Sequence, residues 1–306
     1  MFDWIGVALR FGVYADLLLL FGLAVYPLYA ASPSRPLGGR AIIAGLAGLG
    51  LLLSALSFLQ TVASMSGATI AGIDRETFDF VLFETPPGDA FLWRTTALAT
   101  ALVAALVQSA KVRSLMVTLG AGVALGTLAW TGHAAVTEGT AGTIHRLADG
   151  LHLLAAGAWL GALAVLVTLL FAHIEDERSV AAARSALAGF AVAGSIIVAS
   201  IVTTGLINVW MIVGVEGALR LPTTFYGQLL IVKLMLFAAM LGLAAANRWR
   251  LTPRLASGDA GSNSGVRALR VSIALETSAA VLILALVAWL GTLSPQPAIY
   301  HVLTLT

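Results

Sequence analysis

Four ionisable residues crowd into the first half of an otherwise apolar stretch, HRLADGLHLLAAGAWLGAL, at residues 145–163. They are His145, Arg146, Asp149 and His152. On a helix, residues three and four apart are neighbours, so Asp149 lies beside both histidines. Charged groups are costly to hold in hydrocarbon, whereas imidazole and carboxylate groups bind cations well. We therefore expect this stretch to hold a cation or a cofactor iron, which offsets the cost of desolvating these groups.

The spacing of the histidines limits how they can act together. His145 and His152 are seven residues apart, or about 10 Å along a helix axis, whereas metal–nitrogen bonds are about 2 Å long. One arrangement is therefore a pair of stations bridged by Asp149. The other has one histidine as a ligand, Asp149 as its hydrogen-bond acceptor, and further ligands from other helices. His133, in the preceding TGHA segment, is then the natural partner of His152.

The remaining soft donors are few. The chain has no cysteine, which excludes thiolate ligands. Methionine thioether suits Cu(I), and Met65 and Met211 fall at the outer ends of their predicted helices. Core packing is the alternative explanation for both methionines. His301, in the C-terminal tail, is expected at the same membrane face, whereas His173 lies in the charged segment HIEDER on the opposite side.

Three further charged residues fall inside predicted membrane helices: Asp16, Lys233 and Glu276. Charged groups at such depths usually pair or face a polar path. We expect a structural Lys233–Glu276 ion pair. The alternative is an inward relay for protons or cations, to which Asn208 in TTGLINVW adds a polar ligand.

Composition identifies the solvent around these residues. The chain is 59% hydrophobic and 10% charged, with a mean hydropathy of +0.95, whereas a soluble domain carries about a quarter charged residues. We predict an all-α membrane helix bundle, a single membrane domain over residues 1–306. A spanning helix needs about 20 apolar residues, and eight segments qualify: 4–30, 39–66, 90–110, 114–133, 147–172, 187–213, 226–246 and 268–293.

Basic residues predict the orientation of the bundle. Eleven fall in the loops after helices 1, 3, 5 and 7, namely Arg35, Arg40, Lys111, Arg113, Arg178, Arg184, Arg248, Arg250, Arg254, Arg267 and Arg270. Five fall on the other side, namely Arg10, Arg75, Arg94, Arg146 and Arg220. Both termini are therefore expected outside the cytoplasm, which in a bacterial inner membrane means the periplasm. That face also carries seven of the fifteen acidic residues, with few cations among them, and such a face attracts cations.

Five motifs in this order resemble one family: TGHA (131–134), DGLHLLAAGAWLGAL (149–163), TTGLINVW (203–210), YGQLLIVKLMLFAAMLGLAAANRWRLTP (226–253) and LETSAAVLILALVAWLGTLSP (275–295). Together they resemble the copper resistance protein D (CopD/PcoD) family of bacterial inner-membrane proteins, most clearly over residues 130–295.

The resemblance implies an eight-helix protein of copper homeostasis that moves copper from the periplasm towards the cytoplasm. It also implies a periplasmic CopC-type protein as copper donor. By this resemblance His133, Asp149 and His152 match the family's polar positions, while His145 and His301 are assigned from local chemistry alone.

Two other functions stay open at this point. His133 and His152 on adjacent helices could be the axial ligands of a b-type haem, which would make the protein a membrane oxidoreductase. A sensor or scaffold would bind copper, as Cu(I) or Cu(II), without moving it. The chain has no GxxxxGK[ST] motif, so transport would be passive or ion-coupled. Apart from copper and the donor, the expected partner is membrane lipid and not nucleic acid.

Overall fold

The computed structural model describes residues 3–30, 39–131, 139–171, 177–251 and 263–293. These residues form α-helices joined by short 3-10 and π turns, and contain no β-strand. The helices are α1 (Trp4–Tyr29), α2 (Arg40–Ser66), α3 (Arg75–Glu84), α4 (Pro86–Ala104), α5 (Ala110–Gly126), α6 (Gly139–Phe171), α7 (Glu177–Ala218), α8 (Phe225–Ala246) and α9 (Asn263–Leu290). The prediction of an all-α membrane protein is confirmed.

Several helices begin at a side chain that accepts a hydrogen bond from a free backbone N–H of the first turn. Asp3 accepts from the Gly6 N–H at 2.8 Å at the start of α1, and Thr224 accepts from the Gly227 N–H at 3.1 Å at the start of α8. Thr85 caps α4, and Pro86 then occupies the first helical position, where its missing N–H costs nothing. Such caps explain why the helices begin at these residues.

Seven segments of the described chain are long and apolar enough to cross a membrane. They are Trp4–Tyr29, Arg40–Ser66, Ala110–Trp130, Gly139–Phe171, Val192–Gly214, Phe225–Arg250 and Arg267–Leu290. The predicted third span, 90–110, corresponds to α4, which is shorter and carries Arg94 and several threonines. α3 is an addition, since the sequence analysis predicts no helix there.

Although α4 is less apolar, it runs antiparallel to α2 along most of its length. At one end Phe58 of α2 stacks on Phe91 of α4, with ring centroids 4.3 Å apart and an interplanar angle of 11°. At the other end Arg40, the first residue of α2, donates to the carbonyl of Gln108 at 3.3 Å, just beyond α4. α4 and the turn after it therefore run beside α2 from Phe58 to Arg40.

α1 lies at the centre of the bundle, where it packs against α2, α5, α6 and α9. Its crossing with α6 is the closest because glycines meet there. A Cβ added to Gly22 would lie 2.1 Å from the Gly157 carbonyl oxygen, and one added to Gly161 would lie 2.2 Å from the Gly22 carbonyl carbon. Small residues allow such backbone contact between membrane helices, and here they fix the position of α6, which carries the candidate site.

The glycine crossing predicts that a glycine-to-alanine substitution destabilises the protein at Gly161 but not at Gly45. Gly161→Ala should lower the thermal unfolding midpoint of the detergent-solubilised protein, because the new methyl group overlaps the backbone of α1 and overpacking costs about 1–3 kcal/mol. Gly45 lies on α2 where an added Cβ would meet no atom within 4 Å. Gly45→Ala should therefore leave the midpoint unchanged or raise it, because alanine favours helix. Equal effects at the two positions would contradict the assignment of the crossing.

Candidate metal site

The polar face of α6 passes through the bundle. Asp149 and His152 are partly buried, and His145 is 2% exposed. α6 begins at Gly139, earlier than the predicted 147, so all three residues lie within regular helix. The i, i+3 and i+4 spacings therefore place Asp149 beside both histidines, as the sequence predicts.

α7 meets this face with two polar residues that are themselves one helical turn apart. The side-chain amide of Asn208 donates to Asp149 Oδ1 at 3.1 Å, and His152 Nδ1 lies 3.1 Å from the Thr204 hydroxyl oxygen. Because α6 and α7 pack against each other, the two hydrogen bonds form successive rungs. We call Asp149, His152, Thr204 and Asn208 the α6–α7 ladder.

The Thr204 hydroxyl favours one tautomer of His152. It donates to the Ser200 carbonyl at 2.5 Å, which leaves its oxygen free to accept from a ring N–H. A neutral His152 with its hydrogen on Nδ1 would donate to that oxygen and would keep the lone pair of Nε2. This is the arrangement in which a hydrogen-bonded histidine ligates a metal through its other nitrogen.

A second unused donor atom lies on the neighbouring rung. Asn208 Oδ1 is buried and has no hydrogen-bond partner within the described structure. Buried polar atoms are normally paired, and an amide oxygen is a ligand for cations. The donor atoms at this site are therefore the Asp149 carboxylate, Asn208 Oδ1 and His152 Nε2.

Gly205 leaves room for the imidazole. A Cβ added there would lie 3.4 Å from His152 Cε1 and 3.7 Å from Nδ1, so the ring lies against the glycine. Thr204, Gly205 and Asn208 all belong to the TTGLINVW motif. The sequence analysis singled out Asn208 but missed Thr204, because an isolated threonine in a membrane helix carries no signal without its partner.

Lys233 of α8 adds a positive charge beside the ladder. Its ammonium interacts electrostatically with Asp149 and with His152. The structure does not bring Lys233 and Glu276 into an ion pair, since in the described part of the chain no carboxylate lies within 4.0 Å of Lys233. The side-chain amide of Asn247 donates to Glu276 instead. Since Asn247 is 14 residues past Lys233, about 21 Å along α8, Glu276 lies at a different depth.

Asp16 is also separate from the ladder. It is 4% exposed on α1, and both of its carboxylate oxygens lack a hydrogen-bond partner among the described residues. Its neighbours are Gly50 of α2, where an added Cβ would lie 2.6 Å from Oδ2, and Leu98 of α4, which packs on the same spot. The structure therefore does not bring Asp16 together with Lys233 and Asn208.

The other candidate ligands stand as follows. His133 and His301 lie outside the described residues. Met65 is 54% exposed and lines a cavity between α1, α2 and α4, away from the ladder. Met211 lies on α7 three residues beyond Asn208 and is partly buried. Within the described residues no three His, Cys, Asp or Glu side chains converge on one point, so no carboxylate–histidine triad is complete there.

Comparisons with known proteins identify relatives over most of the chain. The family model described as "Copper resistance protein D-like, N-terminal domain" matches residues 1–143, and the model described as "Copper resistance protein D" matches residues 184–290. No solved structure matches significantly.

Three relatives are similar in sequence. Copper resistance protein D of Pseudomonas syringae pv. tomato is 40% identical over 306 residues, which cover 97% of this chain and 98% of the relative. Inner membrane protein YebZ of Escherichia coli (strain K12) is 30% identical over 261 residues, 83% of this chain and 86% of the relative. Copper transport protein CutJ of Bacillus subtilis (strain 168) is 32% identical over 249 residues, 76% of this chain and 44% of the relative.

The ladder generates a stability prediction that does not depend on any metal. Asn208→Leu should destabilise the protein by about 1–3 kcal/mol, because the partly buried carboxylate of Asp149 loses its hydrogen-bond donor. Thr203→Val, one residue before Thr204 and exposed at the surface of α7, is the matched control and should have little effect. Thermal unfolding in detergent measures both, and an Asn208→Leu midpoint equal to that of the control would show that the bond contributes nothing.

Proposed function

Because the chain belongs to the copper resistance protein D family, we propose that it moves copper across the membrane from the periplasm towards the cytoplasm. We further propose that copper enters at the α6–α7 ladder. The names of two relatives refer to copper resistance and copper transport, which supports copper as the cargo. The membrane is proposed to be a bacterial inner membrane, as the name of the Escherichia coli relative indicates for that protein.

The orientation of His152 is the observation that carries this proposal. In the tautomer that donates from Nδ1 to the Thr204 oxygen, Nε2 of His152 keeps its lone pair. One helical turn away along the same two helices lie the Asp149 carboxylate and Asn208 Oδ1, which no described residue pairs. Imidazole is a ligand for copper, and mixed nitrogen and oxygen ligands are typical of Cu(II). His133 is the proposed second imidazole.

Lys233 suggests how the site behaves when no copper is bound. Its positive charge then compensates Asp149 inside the bundle. An arriving copper ion would replace the ammonium as the partner of the carboxylate, and repulsion would move the Lys233 side chain away from the metal. Glu276 with Asn247, about 21 Å further along α8, is the proposed polar group on the inward side. The periplasmic donor is proposed to be a CopC-type protein.

The described histidines do not provide a pair of axial ligands for a b-type haem. The histidines within the described residues, His145 and His152, lie on one helix seven residues apart, so they cannot clamp one porphyrin from two sides. The pair His133 and His152 stays an untested prediction. No observation on the described residues favours haem over copper.

Copper uptake into proteoliposomes that contain a Cu(I)-sensitive dye tests the proposal. Wild-type protein should give a copper-dependent signal, and His152→Ala and Asp149→Asn should reduce the rate at least about tenfold. Thr204→Val should reduce it as well, because outer hydrogen-bond partners of metal ligands are worth about 10–100-fold. Thr203→Val is the isosteric control and should transport normally.

Each result bears directly on the proposal. Equal uptake by wild-type protein and the His152 and Asp149 variants would overturn the site. Stoichiometric copper binding by the wild type without any uptake would overturn transport and favour a sensor or scaffold.

We also propose that α4 is an eighth span and that both termini are periplasmic, in agreement with the distribution of basic residues. The antiparallel contacts between α2 and α4 support this topology. The natural chain has no cysteine, so single introduced cysteines can be labelled without background. In intact cells, Thr69→Cys should react with an impermeant maleimide from outside, whereas Ala110→Cys should react only after the membrane is opened. Labelling of both positions from the same side would exclude α4 as a span.

A further inference from the structure

A cavity of about 330 Å³ lies between the N-terminal half of α1, the C-terminal half of α2 and the beginning of α4. Its wall contains the polar side chains of Ser57, Gln60 and Thr61, and Arg10 and Arg94 both line it. At about 30 Å³ per water molecule, a ligand of several heavy atoms fits this volume. The cavity wall comes from α1, α2, α4 and the segments that follow α5 and α9, whereas the ladder residues belong to α6 and α7.

Arg94 is the unusual residue of this cavity. It is 6% exposed, and its Nε donates to the Thr127 hydroxyl at 2.8 Å. Its Nη2 is buried and has no hydrogen-bond partner in the described structure. A guanidinium keeps its charge in proteins, and leaving such a charge unpaired in a buried place is strongly unfavourable. Arg94 therefore lacks the counter-charge that its position requires.

The described residues around Arg94 do not supply a negative counter-charge. No carboxylate among the described residues lies within 4.0 Å of Arg94, and Arg10 is close enough to add a second positive charge. Asp3 is the one acidic residue of the cavity wall. Its two oxygens already accept from the Gly6 N–H at 2.8 Å and the Gln60 amide at 3.1 Å. The base of the cavity therefore carries an excess of positive charge.

We propose that this cavity binds an oxyanion, a ligand with a carboxylate or phosphate group that pairs with Arg94 and Arg10. Guanidinium groups bind carboxylate and phosphate oxygens through paired N–H donors, and Arg94 has an unused N–H edge. The hydroxyl and amide groups of the wall can donate further hydrogen bonds. The proposal is independent of copper transport, since no residue of the α6–α7 ladder lines the cavity.

Isothermal titration of the purified full-length protein in a neutral detergent tests this proposal, with citrate and inorganic phosphate as probes and chloride at matched ionic strength as the blank. The wild type should bind at least one of the two probes saturably. Arg94→Gln and Arg10→Gln should each weaken binding by about 10–100-fold, because hydrogen bonds to charged groups contribute about 1.5–3 kcal/mol each. Arg220→Gln, at an exposed arginine outside the cavity wall, is the control and should bind like the wild type.

A second arm distinguishes a free anion from a lipid headgroup. In nanodiscs of phosphatidylcholine alone or with phosphatidylglycerol, a headgroup ligand should raise the unfolding midpoint only in the anionic lipid, and less in Arg10→Gln than in Arg220→Gln. Arg10→Gln keeps the test valid if Arg94→Gln fails to fold. Absence of any probe or lipid effect, or equal effects in all variants, would overturn the proposal. His152→Ala should retain anion binding, which separates this result from the fate of the copper proposal.

Discussion

The two hydrogen bonds between α6 and α7 are the constraint on which the rest of the site depends. Asp149 and His152 lie within a membrane-spanning helix, where an unpaired polar group costs several kcal/mol. Asn208 and Thr204 meet them one helical turn apart, at 3.1 Å each. The hydrogen bonds that offset the cost of burying Asp149 and His152 also orient the imidazole ring and the carboxylate. Stability and ligand geometry are therefore determined by the same pair of helices.

The remainder of the bundle supports this arrangement. The glycine crossing of α1 and α6 brings the two helix backbones into contact, which fixes the level of Asp149 relative to α1. Tyr14 of α1 lines the cavity that holds Arg10 and Arg94, and it also interacts electrostatically with Asp149 of the ladder. The unusual groups lie on different helices, with donor atoms for a cation on α6 and α7 and, on α4, a guanidinium without a counter-charge among the described residues.

Much of this could be predicted from the sequence, because hydropathy and helical spacing depend on local information. Such patterns predict the membrane spans, the face shared by Asp149, His145 and His152, and the candidate role of Asn208. They do not predict which side chains of different helices pair with each other. Thr204 was missed because nothing in its own helix distinguishes it from Thr203. The Lys233–Glu276 pair was expected because both residues are charged and buried, but their depths depend on where α8 and α9 begin. Arg94 had a signal, an arginine inside a predicted span, that the sequence analysis used only for orientation.

The central claim is that His152 binds the metal through Nε2 while Thr204 holds Nδ1. Copper K-edge X-ray absorption of the purified full chain loaded with Cu(I) tests this most directly, with wild type, His152→Ala and Thr204→Val compared at equal metal content. We predict imidazole scattering in the wild type, the loss of one imidazole in His152→Ala, and a weakened or rearranged imidazole contribution in Thr204→Val. Spectra of His152→Ala that retain every imidazole of the wild type would contradict the account.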